Sequence, residues 1–259
     1  MAAVKSILIT GGNGYIAKSL YKAFEGKYEV TSVCRADFDL VNSEATNVFF
    51  RDKSYDVVIH TAVSGGSRLK QDDWSTLDNN LLMYYNLYSN KDKFKRLIHF
   101  GSGAELLMKE EPYGYSKDVI RKSILNNTNF YNLRIFGVFD ENELDSRFIK
   151  ANIKRYINRE SIVIHQDKQM DFIYMPDLIK VVEYYISSDG PKELNCNYDS
   201  ITRLSDIAAI INNLNDYKVN IETVSRELGS IYASGHTGIG VQFTGLCDGI
   251  KEVYNKLKK

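Results

Sequence analysis

Tyr113 and Lys117 stand four residues apart in the run Tyr113-Gly114-Tyr115-Ser116-Lys117. On a helix, positions i and i+4 share one face and their side chains lie together. An unperturbed phenol titrates near ~10, and a cation within ~4–6 Å favours its ionised form. Such a pair can give or take a proton near neutral pH. Spacing alone is weak: the chain has 18 tyrosines, and Tyr254 and Lys258 repeat the interval near the C-terminus. Position is the stronger argument. Tyr113 lies downstream of a glycine-rich turn and shortly after a strand-like run ending in Ser102. A serine hydroxyl there can donate to a carbonyl oxygen and stabilise charge that develops on it.

The glycine-rich turn follows Val4-Lys5-Ser6-Ile7-Leu8-Ile9, a short apolar run typical of a buried parallel strand. Then comes Thr10-Gly11-Gly12-Asn13-Gly14-Tyr15-Ile16-Ala17, and a helical pattern continues through Leu20 and Phe24. Strand, tight turn and helix in this order form a pyrophosphate cradle. Missing side chains at Gly11 and Gly14 let a phosphate approach the backbone, and the helix start at Tyr15 and Ile16 supplies N–H groups and partial positive charge. Ala17 takes the place of the last glycine of the spacing. The context required for dinucleotide binding is therefore present.

A second strand, Glu29 to Cys34, ends without the acidic residue that binds an NAD ribose. Cys34 sits at that place and Arg35 follows, an arrangement that favours the 2′-phosphate of NADP(H) over NAD(H). A solvated surface arginine is the plainer alternative. Asp39 and Leu40 are placed near the adenine, with ordinary helix capping the alternative for Asp37 and Asp39. Further strands are expected at 56–62, 96–100 and 130–135, with helices at 45–50 and 78–88 between them. Alternating strands and helices build a doubly wound parallel sheet in an α/β fold. Its ligands bind at the carboxyl ends of the strands, where Gly11, Thr61, Ala62, Val63 and Ser102 fall.

These motifs resemble the extended short-chain dehydrogenase/reductases, the NAD-dependent epimerase/dehydratase family, which act mostly on nucleotide sugars. The resemblance rests on Gly11, Gly14, Ala17, Ser102, Tyr113 and Lys117, on Asn80 and Asn86, and on the run from Gln169 to Leu178. In that run Met170 stands where arginine is usual. Asp37-Phe38-Asp39-Leu40, His60 to Gly66 and Phe100-Gly101-Ser102 are most similar to GDP-L-fucose synthase and dTDP-4-dehydrorhamnose reductase, which reduce 4-keto sugars. The resemblance implies a Rossmann-type sheet with a small interleaved C-terminal α/β substrate lobe. We place the dinucleotide-binding part at 1–140 plus about 173–190, and the lobe at about 141–172 and 191–259. It also implies roles: Tyr113 as proton donor, Lys117 lowering the phenol's pKa and holding the nicotinamide ribose, Ser102 bonding the carbonyl, and Asn80 in the cofactor set.

Departures from the family pattern narrow the chemistry. Dehydratases carry an Asp-Glu pair directly after the catalytic hydroxyl residue. Here Gly103 and Ala104 occupy those places, and Glu105 comes one position late. The cysteine used by the epimerising fucose synthases is replaced by Ala104, and no histidine lies between His99 and His165. Reduction of the 4-keto group of a nucleotide-linked 6-deoxyhexose is the expected reaction. A nucleotide-sugar 4-epimerase that keeps NAD bound is the enzyme alternative, and a dinucleotide-binding regulatory protein the non-enzyme one. Ser64, Gly103, Arg147 and Lys154 are candidate substrate contacts, the last two as cations for a diphosphate. A solvated helix face is the plainer reading for each of those two.

Composition sets the outer limits. With 259 residues, 44% of them hydrophobic, the chain can bury a large core. The formal net charge is zero and no basic stripe is present, so neither nucleic acid nor an anionic membrane is an expected partner. The N-terminus enters a strand without a signal-peptide pattern, and no apolar run approaches ~18 residues. Cys34, Cys196 and Cys247 are few and far apart, which fits a reducing cytoplasm and no disulfide framework. The four histidines are read as structural, and no metal site is expected. A homodimer is left open.

Overall fold

The computed structural model describes residues 4–67, 70–200, 202–236 and 238–259. The chain divides into two compact units. One comprises Met1–Arg134 and Val181–Leu194, the other Ile135–Lys180 and Asn195–Lys259.

In the first unit the chain alternates as its hydrophobic runs require. It passes through β1 (Ser6–Thr10), α1 (Tyr15–Phe24), β2 (Glu29–Val33), α2 (Ser43–Phe50), β3 (Tyr55–His60) and α3 (Trp74–Ser89). It continues through β4 (Phe94–Ser102), the single turn α4 (Ala104–Leu107), α5 (Pro112–Leu125) and β5 (Phe130–Ile135). Ile7, Leu8, Ile9, Val58 and Ile59 are fully buried, as expected of strands covered on both faces. Helix α3 begins four residues before the expected 78, because Asp73 caps it by accepting from Ser75 N at 3.0 Å.

The sheet is six-stranded in the order β2-β1-β3-β4-β5-β9, with β9 at Glu193–Cys196. The pairs β1–β2, β1–β3 and β3–β4 are parallel. The strand order reverses direction between β1 and β3. In open α/β sheets a crevice forms at that switch point, outside the carboxyl ends of the strands.

The second unit contains β6 (Val138–Phe139), α6 (Phe148–Ile157), β7 (Ile162–Gln166), β8 (Ile173–Tyr174), α8 (Leu204–Asn212), β10 (Ile221–Ser225) and α9 (Leu246–Leu257). Helix α7 (Met175–Ser187) starts here and runs into the first unit's residues. Two small parallel pairs, β6–β8 and β7–β10, complete its strands. Leu204, Ile207, Ala208 and Ile211 recur at helical spacing and join Ile250, Val253 and Tyr254 in one core. Met170 is buried in that core, so the site where the family pattern has arginine presents no cation.

Polar contacts shape this unit. Ser234 and Gly235 are tied down. Ser234 N donates to Asp171 at 2.9 Å, and the side-chain amides of Asn197 and Asn195 donate to Ser234 O at 2.8 Å and Gly235 O at 2.5 Å. Thr237 lies outside the described residues. Asp177 sits in the first turn of α7, and its fully buried carboxylate reaches beyond that turn. It accepts from Thr244 N, Gly245 N, Tyr198 Oη and Lys180 Nζ at 2.7–3.0 Å. Burial pushes its pKa up, but these bonds outweigh burial and hold the carboxyl below its ordinary value.

Asp177→Ala should therefore lower stability by about 3 kcal/mol or more, because it strands several buried donors. Thermal denaturation measures this. Since the folded pKa is depressed, the carboxylate's contribution is present above the unfolded value. It is lost as pH falls through the acid range, so the variant and the parent should converge there.

Candidate active site

At the switch point between β1 and β3, Gly11 turns the chain with φ 73°. A Cβ on Gly11 would lie 2.7 Å from the backbone of Ala62, and one on Gly12 would lie 2.5 Å from Ser32 Oγ. The turn thus closes tightly against the ends of β2 and β3. Gly14 caps α1 in extended conformation with no side chain, and no acidic residue lies in the helix's first turn. Nothing there competes with an anion for the helix N-terminus. The donor set and the missing side chains fit a dinucleotide pyrophosphate.

A cavity of about 230 Å³ opens beside this turn. Gly11, Gly14, Arg35, Asp39, Leu40, Thr61, Ala62 and Val63 line it together. Val33, Phe38 and Met83 line it as well. Sequence reasoning missed these three, since apolar residues read first as core, whether on a strand (Val33), in a loop (Phe38) or on a helix (Met83). Tyr15, Ile16, Asn80 and Lys117 are not part of this lining. Asp37 accepts from Cys34 N at 2.7 Å and so shapes the turn that presents Cys34 and Arg35. Arg35 Nε and Asp39 Oδ2 are 3.7 Å apart, both on the exposed rim. The Thr61 hydroxyl donates to Thr10 O at 2.6 Å, locking the ends of β1 and β3 together.

Ser102 ends β4, and the chain turns at once into α4. Pro112 starts α5 at its first position, where the missing N–H costs nothing. A Cβ on Gly114 would strike the Met108 carbonyl and lie 2.8 Å from Ala104 O. Glycine at 114 therefore lets the first turn of α5 press against α4, despite the short connection from Ser102 to Tyr113. Lys117, one turn on, is buried and donates to Phe100 O, two residues before Ser102, at 2.8 Å. Its Nζ lies 5.9 Å from the centre of the Tyr113 ring. Burial lowers the Lys117 pKa to about 8, opposed by the negative charge of Glu105.

The Tyr113 phenol lies against Gly66. That residue has φ 72°, and a Cβ on it would be 2.7 Å from Cζ and 3.1 Å from the hydroxyl. Asn80 pins this loop. Its side chain accepts from Ser64 N at 2.8 Å, donates to Ser64 O at 3.0 Å and donates to Ser116 Oγ at 3.1 Å. Ser116 Oγ in turn donates to Tyr113 O at 2.7 Å. Asn80, expected among cofactor ligands, is thus buried and committed to joining the loop after β3 to α5. The backbone N–H and carbonyl of Ser64 are held in the same way. Gly103 caps α4.

Glu105 is completely buried and holds Arg134 Nε at 2.6 Å, so it is no solvent-facing acid or base for a dehydration. His60 and His99 are buried side by side on β3 and β4. Burial, with the nearby Lys117 charge, pushes His60 down to about 3 and His99 well below its ordinary value, so both are neutral. In the second unit, Arg147 is exposed at the N-cap of α6. Lys154, the other candidate cation, is paired with Asp145 at 2.8 Å on the exposed surface. Among the described residues no cluster of His, Cys, Asp or Glu is placed to hold a metal ion, and no helix is long and apolar enough to cross a membrane.

The glycine turn, the strand-end serine of β4 and the Tyr-Lys pair of α5 all belong to the first unit. The chain belongs to the NAD dependent epimerase/dehydratase family, whose sequence profile matches residues 7–196. It is 23% identical over 249 residues to CDP-abequose synthase of Yersinia pseudotuberculosis, covering 83% of this chain and 86% of that protein. Its fold matches GDP-mannoheptose C4 reductase from Campylobacter jejuni with NADP bound, at TM-score 0.78 and 18% identity over all of both chains. It matches UDP-glucose 4-epimerase from Thermotoga maritima equally, at TM-score 0.78 and 15% identity over 97% of this chain and 98% of that one.

Gly66→Ala should push the phenol aside and strain the loop. We expect turnover to fall at least about tenfold, the scale on which a small misplacement in an active site acts, with dinucleotide affinity within about threefold. Steady-state kinetics and a binding titration separate the two. A variant with parental turnover would show that the phenol's position is not set by Gly66.

Proposed function

We propose that this protein is an NADPH-dependent nucleotide-sugar oxidoreductase that reduces a 4-keto-6-deoxyhexose linked to a nucleotide. The observation that carries the reading is the local build of Ser102, Tyr113 and Lys117 on β4 and α5, with Glu105 withdrawn from solvent. When bound, the nicotinamide supplies the hydride. The protein's part is to manage the oxygen that becomes an alcohol. Tyr113 delivers the proton to that oxygen. Ser102 donates a hydrogen bond to it, where negative charge builds up. Lys117, as an ammonium, favours the ionised phenol after the proton has left.

Three further points support reduction over other reactions. Dehydration needs an acid and base beside the hydroxyl residue; Gly103 and Ala104 have no such groups, and Glu105 is locked to Arg134. The positions at which related chains epimerise through a cysteine and a histidine hold Ala104 and no histidine. The relatives named above include two whose names describe a synthase or C4 reductase of nucleotide-linked sugars. NADPH is favoured by Arg35 on the rim of the cavity, since a 2′-phosphate is a stronger partner for a guanidinium than the exposed Asp39 at 3.7 Å.

Tyr113→Phe should reduce turnover by about 10²-fold or more, the scale of a lost general acid, while NADPH affinity stays nearly unchanged. The assay is NADPH oxidation against GDP-, CDP-, dTDP- and UDP-linked 4-keto-6-deoxyhexoses. Full activity in that variant would remove the mechanism. Copurifying NAD with no consumption of added NADPH would replace the reductase by the epimerase.

Arg35→Ala should weaken NADPH about tenfold or more while changing NADH less than about threefold, the difference expected for one charge-assisted phosphate contact. Equal losses for both cofactors would place the 2′-phosphate elsewhere.

A further inference from the structure

We propose that Glu105 is the positioning residue of this site: its carboxylate fixes the backbone of Ser102 and provides the counter-charge for the ammonium of Lys117. The proposal rests on the reductase reading above and adds to it a residue that touches neither substrate nor cofactor.

Glu105 lies in the single turn α4, three residues after Ser102, and is completely buried. Both of its carboxylate oxygens are used. Oε2 accepts from Ser102 N at 3.1 Å. Oε1 accepts from Asn132 Nδ2 at 2.7 Å and Arg134 Nε at 2.6 Å, both on β5. Three donors thus converge on one carboxylate from the end of β4 and from the neighbouring strand. A glutamine cannot replace it. An amide has one acceptor oxygen, so either the β5 donors or Ser102 N would face an NH₂ group.

The space for the carboxylate is left by Gly101. A Cβ there would lie 2.6 Å from Glu105 Oε2 and 2.7 Å from Asn132 Nδ2. The carboxylate is therefore wedged under the last two residues of β4. The same turn brings Ala104 N to Ser102 Oγ at 3.2 Å, which orients the hydroxyl. Release of Ser102 N would let both the strand end and that turn relax.

The second role is electrostatic. Charged and titratable groups approach Lys117 from each element around it. His60 on β3 and His99 on β4 are neutral, and the lysine charge only depresses them further. Tyr113 lies on the same helix, one turn earlier. Arg134 on β5 is turned to Glu105. Glu105 on α4 is the group that favours the ammonium against the effect of burial. Removing its charge should make Lys117 lose its proton at lower pH.

The test uses the full-length protein with NADPH and two variants, Glu105→Gln and the double variant Glu105→Gln/Arg134→Met. The double variant removes the guanidinium that the single variant leaves buried and unpaired, so it separates positioning from stability. In both we expect kcat to fall about 10- to 100-fold, below the loss of a whole oxyanion donor. KM and NADPH affinity should stay within about threefold. The loss of kcat at basic pH should move to lower pH in both variants. Recovery of parental kcat in the double variant, or a single variant with parental kcat and pH limb, overturns the proposal. A readout without turnover keeps it distinct from the reductase reading. The ε-carbon NMR resonance of Lys117 should titrate at lower pH in Glu105→Gln than in the parent. An unchanged titration overturns the proposal, whereas a parent that oxidises no NADPH on any nucleotide sugar overturns only the reductase reading.

Discussion

A buried ammonium organises this site. Lys117 is removed from water and has the carbonyl of Phe100 at 2.8 Å as its hydrogen-bond acceptor. Taking a cation out of water costs several kcal/mol, and nearby opposite charge must offset part of that cost. Burial alone would drive the amine toward its neutral form. The fold answers with Glu105, itself held ionisable by Arg134 although burial raises its pKa. Glutamate and arginine are paired across α4 and β5. The Tyr113 ring is half-buried, its centre 5.9 Å from the ammonium.

Distances this short demand small residues, and the three glycines concerned serve different contacts. Gly114 admits the backbone of α4, Gly101 admits a carboxylate, and Gly66 admits a phenol ring. Of these, only Gly66 also needs its positive φ. The hydroxyl of Ser102 and the ring of Tyr113 are carried on elements separated by a short connection, so the packing of α5 on α4 sets where the phenol lies. Volume, more than any single hydrogen bond, fixes the geometry.

Much of this was legible in the sequence because it depends on local rules. The β1 run, the Gly11–Gly14 turn and α1 follow from periodicity and from φ > 0 at one position. The Tyr113–Lys117 interval follows from the helix repeat. What escaped notice depends on tertiary burial. Glu105 read as a misplaced acid because nothing local reveals that Arg134, on a strand 29 residues away, will take it. Asn80 carries no local signal of the bonds it makes to Ser64 and Ser116. Strands β7 and β10 are five residues each, and β10 is mostly exposed, so no hydrophobic alternation announced it. The restraints on Ser234 and Gly235, from Asp171, Asn195 and Asn197, come from elsewhere in the chain and leave no local signal.

The same reasoning explains why the reaction is harder to read than the fold. A Rossmann-type sheet and a Tyr-Lys-Ser set are common to enzymes that reduce a sugar ketone and to enzymes that oxidise and re-reduce it. Groups present in one chemistry and superfluous in another separate only some of these reactions. In this chain the residues after Ser102 are small, and the Glu105 carboxylate is occupied by an arginine, an amide and a backbone N–H. Dehydration removes a second proton from the sugar and needs a base facing the substrate, so this arrangement argues against it. Reduction and 4-epimerisation both manage a single oxygen and need no such base. What separates those two is the fate of the nicotinamide, consumed in one and returned in the other.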